Sequence, residues 1–235
     1  MVLTFFGLHK ITDEVFDAWL KKLPKFRQDA VLRYRFRDDR VRSLCAYLLL
    51  CVGLGRIVEN FSYNEHGKPL LIDENLHINL SHAKSAVVAG FSKTPIGVDV
   101  EFIREKYPKI VCKRVFTPTE IKQIENADSP TFAFFKFWTL KESYVKCIGQ
   151  GLSFPLKTVE FQISDNIICS DNRFTFTAGA DVHVRAENII CSDNRFTFST
   201  FTQNEHQVSV CGAEQHVVKT LSFDDFSNQL NKLKY

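Results

Sequence analysis

Between residues 131 and 148 the chain repeats large apolar side chains at helical spacing, and Gly149 and Gly151 close the run. At 100° per residue Phe134, Trp138, Lys141, Val145 and Ile148 fall on one stripe, and glycine is a common helix terminator. The pattern predicts one long, buried helix, around which the rest of the chain must pack. Its stripe carries Lys141, with Glu142 on the shoulder and Lys146 a turn further on the same side. Placing two amines and a carboxylate beside aromatic rings is unfavourable unless each finds a partner. Glu142 and Lys146 stand in the favourable i,i+4 order. A surface ion pair, however, contributes only about 0.3–0.5 kcal/mol and explains neither Lys141 nor the G-Q-G that follows. The helix is expected to hold charges for a site.

Around it the chain reads as mixed strand and helix. A strand is predicted over 3–8, a Thr12-capped helix over 12–23, and one or two helices over 26–59. Strands follow at 77–80, 86–91 and 96–102, then helices near 107–115 and from Thr117. Residues beyond 150 are strand-like to about 218, and SFDDFSNQLNKL suggests a short final helix. Without strict βαβ alternation this is an α+β fold, with 22 Phe predicting an aromatic core. The segment NIICSDNRFTF occurs at 166–176 and again at 188–198. Each copy reads as a hairpin turning at Ser-Asp-Asn, a local duplication with no chemistry of its own.

Seven cysteines, an odd count without any C-x-x-C, suit reduced thiols in the cytosol. The N-terminus lacks the layout of a signal peptide. The apolar run Leu44 to Gly55 is far short of the ~20 residues that span a bilayer. A cytoplasmic protein without a membrane segment is expected. Net charge is +3, but Arg33, Arg35, Arg37, Arg40 and Arg42 crowd one region. No nucleic-acid-binding motif accompanies them, so nucleic acid is not the expected partner.

The second constellation is IGVDVE, Ile96 to Glu101. In a strand Asp99 and Glu101 share one face, while Val98 and Val100 take the other. Two carboxylates this close repel unless a cation or donor lies between them. With Glu142 as a third acid, an all-oxygen set favours Mg²⁺, which shares its shell with water and substrate phosphates. Lysines beside such a site would hold the same phosphates. The residues alone thus reach a Mg²⁺-dependent enzyme acting on a phosphate compound.

The ordered set of motifs resembles the Sfp-type 4'-phosphopantetheinyl transferases. It comprises Gly67-Lys68-Pro69, Asn79-Leu80-Ser81-His82, Gly97-Val98-Asp99-Val100-Glu101, FTPTE (Phe116 to Glu120), then Trp138 to Lys146 as W-x-x-K-E-S-x-x-K and G-Q-G-L from Gly149. The resemblance covers about residues 24–155. It implies an α+β fold of two similar lobes related by pseudo-twofold symmetry, with a coenzyme A cleft between them. The lobes would be residues 1–94 and 95–235, the second carrying the duplicated hairpin at 166–198. It also implies Mg²⁺-dependent transfer of the phosphopantetheine arm of coenzyme A to a serine of an apo acyl or peptidyl carrier protein, releasing adenosine 3',5'-bisphosphate. A monomer is the family expectation.

By the same resemblance Asp99 and Glu142 are the firm metal ligands, with Glu101 third or water-mediated. Glu142 takes the serine proton, and Lys146 stabilises the leaving phosphate. Lys68, Ser81 and His82 lie at the nucleotide end, and Arg42, helped by Arg27 or Arg35, holds phosphate. Lys141 supplies positive potential or a structural ion pair, and Trp138 packs. Two other classes stay open: a binding-only relative without catalysis, and a Mg²⁺-dependent phosphoesterase that needs no carrier.

Overall fold

The computed structural model describes residues 1–72, 74–164 and 188–233. β1 (Val2–Phe5) leads through α1 (Asp13–Leu20), α2 (Lys25–Leu32) and α3 (Arg37–Leu54) to the short β2 (Ser62–Tyr63) and β3 (Pro69–Leu70). The hairpin of β4 (His77–Ala83) and β5 (Ala86–Ser92) follows. The order then recurs. β6 (Ile96–Phe102) leads through α4 (Lys109–Val115), α5 (Pro118–Asn126) and α6 (Pro130–Ile148) to the short β7 (Phe161–Ser164) and β8 (Asn188–Cys191). A second hairpin, β9 (Thr197–Gln203) with β10 (His206–Gly212), completes it. β1 pairs antiparallel with β5, and β6 antiparallel with β10. Both hairpins turn in two residues, with positive φ at Lys84 (43°) in one and at both Asn204 (48°) and Glu205 (60°) in the other. This is the α+β fold of two similar lobes.

The lobes meet sheet to sheet. Val2, Ala86 and Val88 of one face Ile96, Val98, Val100, Val208 and Val210 of the other in a single apolar cluster. Each sheet is covered on its far side by a long helix. α3 is buried nearly all round from Leu44 to Val52, and α6 lies against β6 and β10. The single-stripe reading of α6 understates its burial. Phe135, Phe137, Leu140, Tyr144 and Cys147 are also buried, because α6 is enclosed by its sheet on one side and by α5 on another.

Strand pairing adds two points about organisation. The turn between β5 and β6 spans residues 93–95, and the residues after it do not all stay with the second sheet. β11 (Val218–Leu221) pairs in parallel with β1, giving the sheet order β11-β1-β5-β4. α7 (Phe223–Asn231) then packs on the N-terminal lobe, with Phe226 4.6 Å from Phe5 and 5.4 Å from Trp19 between ring centroids. The edge of β1 needs a partner for its backbone groups, and the end of the chain supplies it. The second copy of the duplicated segment is not a self-paired hairpin either. Its first half, β8, pairs with β7, while its second half enters β9, which pairs with β10. The first copy lies outside the described residues. Among the described residues six cysteines are free thiols, five of them buried.

Candidate active site

The site begins at Gly97. A Cβ there would overlap the backbone carbonyl of Ser143 and the amide of Cys147, so glycine lets α6 lie directly on β6. Strand alternation then points Asp99 and Glu101 toward α6, and helical spacing points Glu142 and Lys146 back. Lys146 Nζ donates to Asp99 Oδ1 at 2.5 Å and to Ser81 Oγ at 3.1 Å. Ser81 Oγ donates in turn to Asp99 Oδ1 at 2.9 Å. The other carboxylate oxygen, Asp99 Oδ2, is buried with no hydrogen-bond partner. An orphaned acceptor in the interior is costly and offers a place for a cation.

The neighbouring acids respond to Asp99. Burial, then the Asp99 charge, pushes the Glu142 carboxyl above its ordinary value, with Lys146 partly offsetting. Glu101 is raised for the same two reasons and is eased by Arg104 and by a hydrogen bond from Trp138. Trp138, expected only to pack, therefore also holds Glu101, while it stacks on Phe134 at 6.2 Å. Among the described residues no three carboxylate, histidine or cysteine groups converge tightly enough to cage a metal. Mg²⁺ commonly takes one or two carboxylates and fills its shell with water and phosphate. The orphaned Asp99 oxygen with Glu142 beside it fits that mode.

The N-L-S-H box stitches the lobes. Asn79 Oδ1 accepts from Val98 N–H at 2.8 Å, and Ser81 Oγ from Val100 N–H at 3.3 Å. Side chains of β4 thus satisfy the free edge of β6, a role for Asn79 that its motif alone did not disclose. His82 follows at the surface, where surrounding protein atoms, then the charges of Arg42 and Lys146, hold its imidazole below the ordinary value. Arg42 donates to Asp39 Oδ1 at 2.5 Å and to the Lys84 carbonyl at 3.1 Å. Arg27 is taken up by the Ser43 carbonyl and hydroxyl, each at 2.8 Å, and Arg35 lies over the Phe36 ring.

Two of the predicted ligand residues make structural contacts. Lys141 is fully buried. Its ammonium meets Glu120 Oε2 at 2.8 Å and the carbonyls of Leu156 and Val159 at 2.8 and 2.7 Å, so all three donors are spent away from Asp99. The ion-pair alternative is the one realised. Its partner Glu120 also closes the Thr117 capping box of α5 and accepts from Phe161 N–H at 2.9 Å. The FTPTE motif was thus visible in the sequence, but its link to Lys141 was not. Lys68, expected at the nucleotide, donates to the carbonyls of Lys146 (2.5 Å), Ile96 (3.1 Å) and Cys147 (3.2 Å). It caps the α6 terminus, where backbone acceptors otherwise lack partners.

Beside these groups opens a cavity of about 230 Å³, lined among others by His66, Gly67, Lys68, Glu142, Lys146 and Gly149. Glu142, a carboxylate of raised pKa, and Lys146 line this cavity, and behind them Asp99 is bonded to Lys146 with one oxygen orphaned; the set is suited to proton and phosphoryl transfer.

Comparison with known proteins agrees with this class of site. Residues 95–211 match the family model of the 4'-phosphopantetheinyl transferase superfamily. A 4'-phosphopantetheinyl transferase of Bacillus subtilis is 30% identical over 206 residues, covering 84% of this chain and 85% of the relative. The 4'-phosphopantetheinyl transferase gsp of Aneurinibacillus migulanus is 35% identical over 158 residues, covering 64% of this chain and 66% of the relative. Among solved structures, Thermotoga maritima holo-acyl-carrier-protein synthase matches at 17% identity with a TM-score of 0.35, covering 52% of this chain and 64% of that one. The chain belongs to the 4'-phosphopantetheinyl transferase superfamily of enzymes.

Proposed function

We propose that this enzyme transfers the 4'-phosphopantetheine arm of coenzyme A to a serine of an apo acyl or peptidyl carrier protein, with Mg²⁺, releasing adenosine 3',5'-bisphosphate. The observation that carries the reading is the buried, unpartnered Asp99 Oδ2 beside Glu142 and Lys146 at the cavity. Asp99 and Glu142 would hold the ion, with Glu101 reaching it through water. When bound, Mg²⁺ neutralises the pyrophosphate and polarises the reacting phosphoryl group.

The serine Oγ bonds to the β-phosphorus, and the bridging P–O bond to the nucleotide breaks. Glu142 takes the serine proton, for which a raised carboxyl is better suited than an ordinary one. Lys146 moves from Asp99 toward the charge developing on the leaving phosphate. His82 and Arg42, at the surface end of the seam, hold the nucleotide's phosphate. Lys68 and Lys141 act through structure.

One chain lines the cavity on both walls, which supports a monomer as the working unit. No described helix is long and apolar enough to cross a membrane, and free thiols suit a cytoplasmic setting.

Intact-mass spectrometry of apo carrier proteins incubated with enzyme, coenzyme A and Mg²⁺ tests the reading. The expected result is a phosphopantetheine mass gain that a chelator abolishes. Cleavage of coenzyme A without any carrier would instead point to a phosphoesterase, and tight coenzyme A binding without transfer to a binding-only protein.

A further inference from the structure

The loop 64–68 joins β2 to β3, and one side chain organises it. Asn64 Oδ1 accepts from the backbone N–H of His66 at 3.0 Å and of Lys68 at 2.8 Å. Backbone bonds from Asn64 N–H to the Lys68 carbonyl, 3.1 Å, and from Gly67 N–H to the Asn64 carbonyl, 3.0 Å, close the turn. Gly67 there adopts φ +80°. The other end of the same amide reaches the opposite lobe, where Asn64 Nδ2 donates to the Gly149 carbonyl at 2.9 Å. Gly149 ends α6 in the left-handed conformation, φ +73°, which turns its carbonyl out of the helix. The two loops also touch where Gly151 lies against His66.

Each loop forms one wall of the cavity. His66, Gly67 and Lys68 line one side, and Val145, Lys146, Gly149 and Gly151 the other. Nothing in the reaction requires the Asn64 amide itself, yet all its donor and acceptor directions named here are aimed at these two walls. We propose that Asn64 is a positioning residue for coenzyme A. Its carboxamide locks the 64–68 turn and ties it across the lobes to the α6 terminus, fixing the width of the cleft before substrate arrives. A cleft held at its bound width saves the ordering cost that binding would otherwise incur. This inference rests on the reading that the cavity receives coenzyme A.

The test compares Asn64→Ala, which loses both functions, with Asn64→Asp, which keeps the turn acceptors and loses only the donor to Gly149. Steady-state transfer is measured while coenzyme A and carrier are varied separately. Both variants are expected to raise KM for coenzyme A about tenfold, the scale of one well-placed hydrogen bond, with kcat within about twofold. KM for the carrier stays unchanged in both. A merely structural role would instead lower the melting temperature and the amount of active enzyme, leaving KM for coenzyme A alone. That pattern, or wild-type constants in both variants, would overturn the inference. A wild-type protein that transfers nothing from coenzyme A would overturn the reading of the cavity as well. Normal wild-type transfer with unaltered variants would overturn only the role of Asn64.

Discussion

Asp99 is the residue on which the site turns, since its two oxygens have opposite fates. Oδ1 is held by Lys146 and Ser81, and Oδ2 is left without a partner. Its charge raises Glu142 and Glu101 in turn. Glu142→Gln should lower transfer by about 10²–10⁴-fold, the usual contribution of a positioned base. The sign for stability runs the other way. A carboxyl raised in the fold adds stability below its ordinary pKa and loses it as pH rises through the elevated value. Burial thus makes the Glu142 carboxylate unfavourable in the fold, and the variant should melt no lower than wild type in calorimetry at pH 7. The pH profile of kcat/KM should lose its acid limb at a pH above the ordinary carboxylate range, because the base must be ionised to act.

Asp99, Glu142 and Lys146 were legible in the sequence because two periodicities, two in a strand and 3.6 in a helix, aim them at one place. Lys68 was not legible. Its partners are backbone carbonyls of a distant helix end, and a carbonyl leaves no trace in residue identity.

Among the elements, α6 bears both the structure and the chemistry, and it depends on two fixings. The first is Gly97. Gly97→Ala should push α6 off β6 and separate Glu142 and Lys146 from Asp99. Activity should fall at least tenfold, and thermal melts should show a loss on the 1–3 kcal/mol scale of overpacking. The second is the Lys141–Glu120 pair, with both side chains fully buried. Lys141→Met leaves a buried carboxylate unpaired and should cost about 3–5 kcal/mol in chemical denaturation. A second change, Glu120→Gln, should recover part of that loss. Helix ends were readable from Thr12, the Thr117 capping box and Gly149, since capping chemistry is local. Strand partners were not. β8 and β9 are contiguous and hairpin-like in sequence, but β8 pairs with β7 and β9 with β10, a choice made by distant neighbours.

At the scale of the whole molecule, two lobes with the same order of elements meet at a valine-rich seam, and the site lies where β4 side chains complete the edge of β6. The return of β11 and α7 to the first lobe was hidden, although α7 itself was predicted, because a strand's sequence does not name the sheet it joins. The second copy of the duplicated segment is built into the C-terminal lobe. Tyr144 of α6 donates to Asp193 at 2.9 Å, and Ser192 and Glu160 exchange hydrogen bonds at 2.9 Å. Excision of 166–187 joins Asp165 to Asn188 and restores the same Asp-Asn-Ile-Ile-Cys sequence at the junction. The excision leaves only Asp165 between the paired Ser164 and Asn188, so that last pair must open to give a three-residue hairpin loop; the transfer rate should stay within about twofold, because the cavity-lining residues lie outside β7 and β8. Complete loss of activity would show that the duplication serves the site.

The most direct test is calorimetric Mg²⁺ binding in the presence of coenzyme A, for wild type and Asp99→Asn. Saturable binding by wild type that is lost in Asp99→Asn, with coenzyme A affinity in the absence of Mg²⁺ retained, is the predicted result. Wild-type Mg²⁺ affinity in a folded Asp99→Asn variant would contradict the account.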